Sequence, residues 1–127
     1  MENTEICAYA TTLPNAKTDY KAEWGANRLL LDDKMFGLLG TNKAGTRILT
    51  LKLLPEDGEL LREQYAAITP GYYMNKTHWN SIDLLSDQVS DELIKKMIDT
   101  SYHLILKSLT KKRQQEIADG INIGHSS

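Results

Sequence analysis

The densest run of side chains able to do chemistry lies between Asn75 and Asn80, where the chain reads Asn-Lys-Thr-His-Trp-Asn. Lys76 can contact a phosphate, and Asn75, His78 and Asn80 can hydrogen-bond to bases or to backbone. Trp79 can stack on an unpaired base or an apolar partner. Thr77–Leu85 reads as a strand, in which successive side chains point to opposite faces. If Ile82 and Leu84 face a core, His78 and Asn80 point inward with them. Trp79 then shares the outer face with Ser81 and Asp83, a poor place for an idle indole. The competing arrangement has a bulge or an irregular lead-in that turns Trp79 into the core, with Asn75 and His78 satisfying loop backbone groups.

Cations form a second set of candidates. Residues 95–113 hold six basic side chains against Asp99 alone, and Lys107, Lys111, Lys112 and Arg113 are the densest part. Lys107 falls near the negative end of a long helix, where it is stabilising. Lys111, Lys112 and Arg113 would occupy the unfavourable positive end of the next helix. That placement suits an anion-facing surface, a solvated face, or a helix break elsewhere. Lys43 and Arg47 flank a glycine-containing hairpin tip, as a DNA-contacting wing would, although two charges on a loop are commonplace. Arg28 and Lys34 bracket the other hairpin, with Asp32-Asp33 between them to repel phosphate.

Catalytic patterns are missing from the sequence. It has no Gly-x-Ser-x-Gly elbow, phosphate-binding glycine loop, His-Glu-x-x-His helix or cysteine–histidine metal spacing. The histidines, His78, His103 and His125, are scattered. The single cysteine, Cys7, lies beside apolar residues of a helix and can form neither an internal disulfide nor a cysteine-based zinc site. A non-enzymatic protein without cofactor or metal is therefore expected. A net charge of −2 and a pI near 5.9 give no general attraction to phosphate or anionic lipid. Nucleic-acid binding would need a local basic patch. No apolar run is long enough to span a bilayer, and the start of the chain does not read as a secretion signal, so a cytoplasmic, membrane-free protein is expected. A monomer is the default expectation.

The elements that must position these residues follow from period and punctuation. A chain of 127 residues, 41% hydrophobic and 25% charged, suits one domain, here residues 1–120, with 121–127 as a flexible tail. Ile6, Tyr9, Ala10 and Leu13 recur at helical spacing and predict a helix from Asn3 or Thr4 to about Leu13. Ala22–Trp24 reads as a short strand. Leu29–Leu31 and Met35–Leu39 predict a hairpin turning at Asp32-Asp33. Thr46–Leu53 alternates, with Leu49, Leu51 and Leu53 on one face and Ile48, Thr50 and Lys52 on the other. Pro55 opens a helix that ends by Thr69-Pro70-Gly71, weakened internally by Gly58. An irregular stretch covers Gly71–Asn75. Ser90 caps a long helix with Leu93, Ile94, Met97, Ile98, Ser101, Tyr102, Ile105 and Leu109 on its apolar stripe, and a short helix runs from Lys111 to Asp119. The pattern predicts an α+β fold: an antiparallel sheet of four to five strands with helices packed on one face.

The segment Tyr73-Met74-Asn75-Lys76-Thr77-His78-Trp79-Asn80-Ser81-Ile82-Asp83-Leu84 resembles the central signature of the MmcQ/YjbR family, in which an Asn-Lys-x-His-Trp run leads into a strand. The flanks agree. Leu51-Lys52 leads to the Pro55 helix with Glu59-Leu60-Leu61-Arg62-Glu63-Gln64, Asp91-Glu92-Leu93 opens a helix that passes Ser101-Tyr102, and Leu109-Thr110-Lys111-Lys112-Arg113 follows. The resemblance covers roughly residues 3–118 and departs in the tail after Gly120. It implies a frataxin-like, double-wing sandwich and a DNA-binding role without enzymatic activity. DNA would then be met by Lys43, Arg47, Asn75, Lys76, His78, Trp79, Asn80, Lys107, Lys111, Lys112 and Arg113. The alternative is a protein- or small-ligand-binding module using the exposed face around Trp79.

Overall fold

The computed structural model describes residues 1–71 and 75–120. Helix α1 (Asn3–Ala10) leads into strand β1 (Ala16–Lys21), a 3-10 turn (Ala22–Trp24) and strands β2 (Ala26–Leu31), β3 (Lys34–Thr41) and β4 (Arg47–Lys52). Helix α2 (Pro55–Gln64), strands β5 (Ile68–Pro70) and β6 (Trp79–Asp83), and helices α3 (Asp91–Ser108) and α4 (Lys111–Ala118) follow. Among the described residues the strands form one antiparallel sheet in the order β1-β2-β3-β4-β6-β5. The sheet has six strands, not the four to five expected. Ala-Lys-Thr-Asp-Tyr-Lys in β1 carries too little apolar alternation to announce a strand, and β5 is three residues containing a proline. Ala22–Trp24 is a helical turn closed by Gly25 at φ 60°, not a strand. The first helix also stops at Ala10 rather than Leu13. The irregular stretch expected at Gly71–Asn75 lies partly outside the described residues, and the tail 121–127 wholly so.

Register sorts the side chains into two faces. Leu49 pairs with Leu39 and Ile82, and Leu51 with Gly37 and Asn80, so these share one face. That face joins Ile6 and Ala10 of α1, Ile94, Met97, Ile98, Tyr102 and Ile105 of α3 and Ile117 of α4 in a single apolar core. Helix α2 lies on the same side, because Arg62 donates from Nη1 to the Asn80 side chain and Gly58 abuts it. A β-carbon on Gly58 would come within 2.9 Å of Asn80 Oδ1. The glycine that lowers helix propensity is therefore the residue that lets α2 seat on β6. The chain's α-helices thus cover one face of the sheet, as expected. Among the described residues the opposite face carries no α-helix.

A β-bulge sets that division along β3. Leu29 pairs with Gly37 but Leu30 pairs with Met35, leaving Phe36 as an extra residue. Phe36 turns into the core and meets Tyr102 edge-on, with ring centroids 5.6 Å apart and planes at 83°. Its carbonyl accepts a 2.5 Å hydrogen bond from Ser101 Oγ of α3, which in turn accepts from the Lys52 N–H at 2.9 Å. A fully buried hydroxyl therefore joins β3 to β4 just past their last ladder pair, Gly37–Leu51. Ser101→Ala strands both backbone groups and should lower the unfolding free energy by about 1–3 kcal/mol. Thr100→Ala, which removes an exposed hydroxyl bonded to the Lys96 carbonyl within its own helix, should cost less than about 0.5 kcal/mol. Urea titration of the two variants separates these outcomes.

Candidate functional site: the helix-free face of the sheet

Most of the sequence-marked Asn75–Asn80 run holds the fold together. Asn75 closes a turn: its Oδ1 accepts from the Thr77 N–H at 2.9 Å, and its carbonyl accepts from the N–H groups of His78 and Trp79 at 3.2 and 2.9 Å. The His78 carbonyl accepts from the Leu53 N–H at 2.8 Å, tying the turn to the end of β4. Asn80 is fully buried on the core face, held by Arg62. Lys76 is exposed in the turn, and His78 is half-buried. Trp79 pairs with Lys52 on the helix-free face and is half-buried there. Of the two arrangements the sequence left open, the structure takes a part of each: Asn80 points inward and Trp79 outward, as regular alternation requires, while Asn75 satisfies loop backbone groups. Tyr73 and Met74 of the signature lie outside the described residues.

The cations do not gather into one patch. Lys43 is exposed at the β3–β4 tip, while Arg47 ties down the start of the chain, donating from Nε to Asn3 Oδ1 at 2.8 Å and from Nη2 to the Met1 carbonyl at 2.9 Å. Lys76, Lys52 and the β2–β3 turn lie at the other end of the strands, roughly 20 Å away for six extended residues. There Arg113 makes a two-pronged pair with Asp32, both contacts 2.9 Å, and a weaker one with Glu116 at 3.4 Å. Helix α4 does begin at Lys111, capped by the Thr110 hydroxyl, so the three cations do sit at its positive end. Arg113 is spent within the fold, and Lys107, Lys111 and Lys112 point to solvent.

The feature that sequence reading missed is a groove of about 620 Å³ on the helix-free face. Its floor is Ala26, Leu38, Gly40, Ile48 and Thr50, which register places on the face opposite Leu49. Gly40 lies beside Ala26, and a β-carbon there would come within 3.1 Å of Ala26 Cβ. Two of the smallest residues thus sit side by side, and the depression is the space their side chains do not fill. Trp24 stands at the rim, 54% exposed, with Lys21 Nζ 5.8 Å and the Arg28 guanidinium 6.0 Å from its ring centroid. Arg28 is held by Asp19 across β1–β2 through a 2.8 Å bond from Nε and a second from Nη2. The buried Thr50 hydroxyl at the floor bonds to Ser81 Oγ at 2.8 Å. A tryptophan followed by glycine between two strands was the available signal, and reading Ala22–Trp24 as a strand concealed it.

A half-exposed indole stands beside a shallow, largely apolar floor with one hydroxyl, and the fold is that of a small α+β domain with an open sheet. The YjbR family model matches residues 11–104, and the chain belongs to that family. It is 26% identical to the protein YjbR of Escherichia coli K12 over 115 residues, covering 91% of this chain and 96% of that one. Its identity to YbdF of Escherichia coli O157:H7 is 31% over 83 residues, 65% and 67% of the two chains. The crystal structure of a Deinococcus radiodurans protein superposes with a TM-score of 0.79 at 27% identity, over 98% of this chain and 94% of that one. A Pseudomonas syringae protein superposes at 0.71 and 26% identity, over 82% and 98%. Among the described residues no helix is long and apolar enough to cross a membrane, and no group of three or more His, Cys, Asp or Glu is placed to hold a metal ion.

Charge pairing gives the basic end a pH signature. The Arg113 guanidinium hydrogen-bonded to Asp32 holds its carboxyl below the ordinary carboxylate value, against a smaller opposing push from burial. The folded value is depressed, so this stabilisation is present above pH ~4 and is lost as the pH falls through the folded value. Asp32→Asn should therefore flatten the loss of stability between about pH 5 and pH 3, measured by urea midpoints. Arg113→Ala should destabilise at pH 7, whereas alanine at Lys107, Lys111 or Lys112 should shift stability by less than about 0.5 kcal/mol.

Proposed function

We propose that this protein is a non-enzymatic binding domain whose working surface is the helix-free face of its sheet, and that the groove beside Trp24 takes a small organic ligand. One observation carries the reading: a largely apolar depression of about 620 Å³, built on Gly40 and Ala26, stands under an indole that packing leaves uncovered. Ligand sites commonly span about 300–1,000 Å³ and combine apolar walls with a few polar groups. Thr50, Thr41, Asn42 and Glu23 supply the polar groups here. This follows the ligand-binding alternative drawn from the sequence, with its centre moved from Trp79 to Trp24.

Nucleic-acid binding, the role that the family resemblance implies, is favoured by a different observation. Both tryptophans, with Lys17, Lys21, Arg28 and Lys52, share the helix-free face. Stacking platforms flanked by cations suit single strands better than a duplex. The wing-tip cations Lys43 and Arg47 would be the contacts in a double-wing arrangement. Salt-sensitive binding of a labelled single strand at low salt, abolished by Trp79→Ala, would support this reading over the groove.

A titration of aromatic fragments followed by backbone and indole NMR shifts tests the groove. The expected result is a perturbed cluster at the Trp24 indole N–H, Ala26 and Gly40. Trp24→Ala should leave stability within about 1 kcal/mol, because the indole is 54% exposed. It should weaken fragment binding roughly tenfold, as expected for losing one aromatic contact. Trp79→Phe should leave binding unchanged. Shifts that cluster elsewhere, or no shifts with any fragment, would overturn the assignment.

A further inference from the structure

Resting on the groove reading, we propose that the groove selects a flat aromatic ligand carrying a positive charge, and disfavours the same ring bearing a carboxylate. Glu23 is the one charged side chain among the described residues that line the groove. It lies next to Trp24 on the rim, so its carboxylate is the charge that a ring laid on the Ala26–Gly40 floor meets within the lining. The remaining polar lining, Thr41, Asn42 and Thr50, is neutral. Among the described residues no cation lines the groove itself; the nearest, Lys21 and Arg28, lie 5.8 and 6.0 Å from the Trp24 ring centroid and are paired with Glu23 and Asp19.

Lys21 complicates the balance and also makes it testable. Its Nζ lies 3.5 Å from Glu23 Oε2, with the two side chains 37% and 73% exposed. A pair this open is weak and shared easily with an incoming cation. Lys21 does not line the groove, and Arg28, the other nearby cation, is held by Asp19. The flatness of the ligand follows from the floor. The β-carbon of Ala26 and the bare Cα of Gly40 form a low step between the larger Leu38 and Ile48, which suits a ring lying on its face.

The test uses three probes on one naphthalene ring, 1-naphthylmethylamine and the near-isosteric 1-naphthylmethanol together with 1-naphthoate, each titrated into the full chain and followed at the Trp24 indole and the Gly40 amide. The amine should bind roughly threefold more tightly than the alcohol, the range of an exposed ion pair, and the carboxylate more weakly than either. Glu23→Gln should bring the amine level with the alcohol without moving the alcohol's affinity. Lys21→Ala should widen the gap in favour of the amine. All three preferences should shrink in high salt. If the alcohol and carboxylate bind in the groove as well as the amine, or if Glu23→Gln changes nothing, the charge selection is wrong while the groove stands. If none of the three perturbs Trp24 or Gly40, both the selection and the groove reading fall together.

Discussion

One extra residue in β3 decides what the sheet can present. With Gly37 and Leu39 facing the core, strict alternation would send Phe36 outward and Met35 inward. The bulge reverses both: Phe36 is sealed against Tyr102, and Met35 joins Leu38 at the groove. Just past the last β3–β4 pair, the Phe36 carbonyl and the Lys52 N–H have to be satisfied, and in a buried place an unmet pair costs several times what a made hydrogen bond returns. Ser101 meets both from α3. The bulge that sets the composition of the open face therefore lies beside the point where the longest helix is tied to β3 and β4.

The Asn75–Asn80 run carries structural contacts alongside the recognition chemistry that its residue types suggest. Asparagine, histidine and lysine in close succession look like recognition chemistry, yet Asn75 closes its own turn and Asn80 is fully buried beneath α2. A buried amide needs partners for several donors and acceptors, and Arg62 and the His78 carbonyl supply them. Gly58 leaves room for that contact. The run fixes how β6 leaves its turn and how α2 sits on it. What it leaves for binding is chiefly Trp79 and the exposed Lys76.

Legibility in the sequence tracked the amount of apolar periodicity each element carried. Helix α3 was plain, because Ser90 caps it and six of its residues reach the core on a regular stripe. Strand β4 was equally plain, and its two faces were assigned correctly from alternation alone. Strand β1 was invisible because an edge strand needs only one partner and one covered face, so Lys17, Asp19 and Lys21 satisfy it as well as apolar residues would. Short β5 is defined by pairing with β6 rather than by its own composition. The groove was hidden for a related reason. It depends on Gly40 and Ala26 becoming neighbours across two strands and on a bulge between them and the β2–β3 turn, and register of that kind is not written in any single segment. Trp24 could have been singled out by its size beside a glycine, but its exposure is a property of the assembled sheet.

Electrostatics then weighs between the two kinds of partner. Lys43 and Arg47 lie at one end of the strands, and Lys76 with the α3–α4 lysines at the other, a separation of roughly two Debye lengths at physiological salt. Fields from exposed charges that far apart do not add, and Arg47 and Arg113 are already engaged by the chain itself. A duplex touching these cations would gain from each separately, on a molecule whose net charge is −2. The open face is nearly balanced instead: Asp19 holds Arg28, and Glu23 lies against Lys21. A balanced, partly apolar surface gives a phosphate chain little to neutralise but lets an aromatic ring shed its water at low electrostatic cost. The charge pairing that lowers the pull of this face on a phosphate chain is thus the same pairing that surrounds the half-exposed Trp24 indole, which is the physical ground for the proposed groove reading.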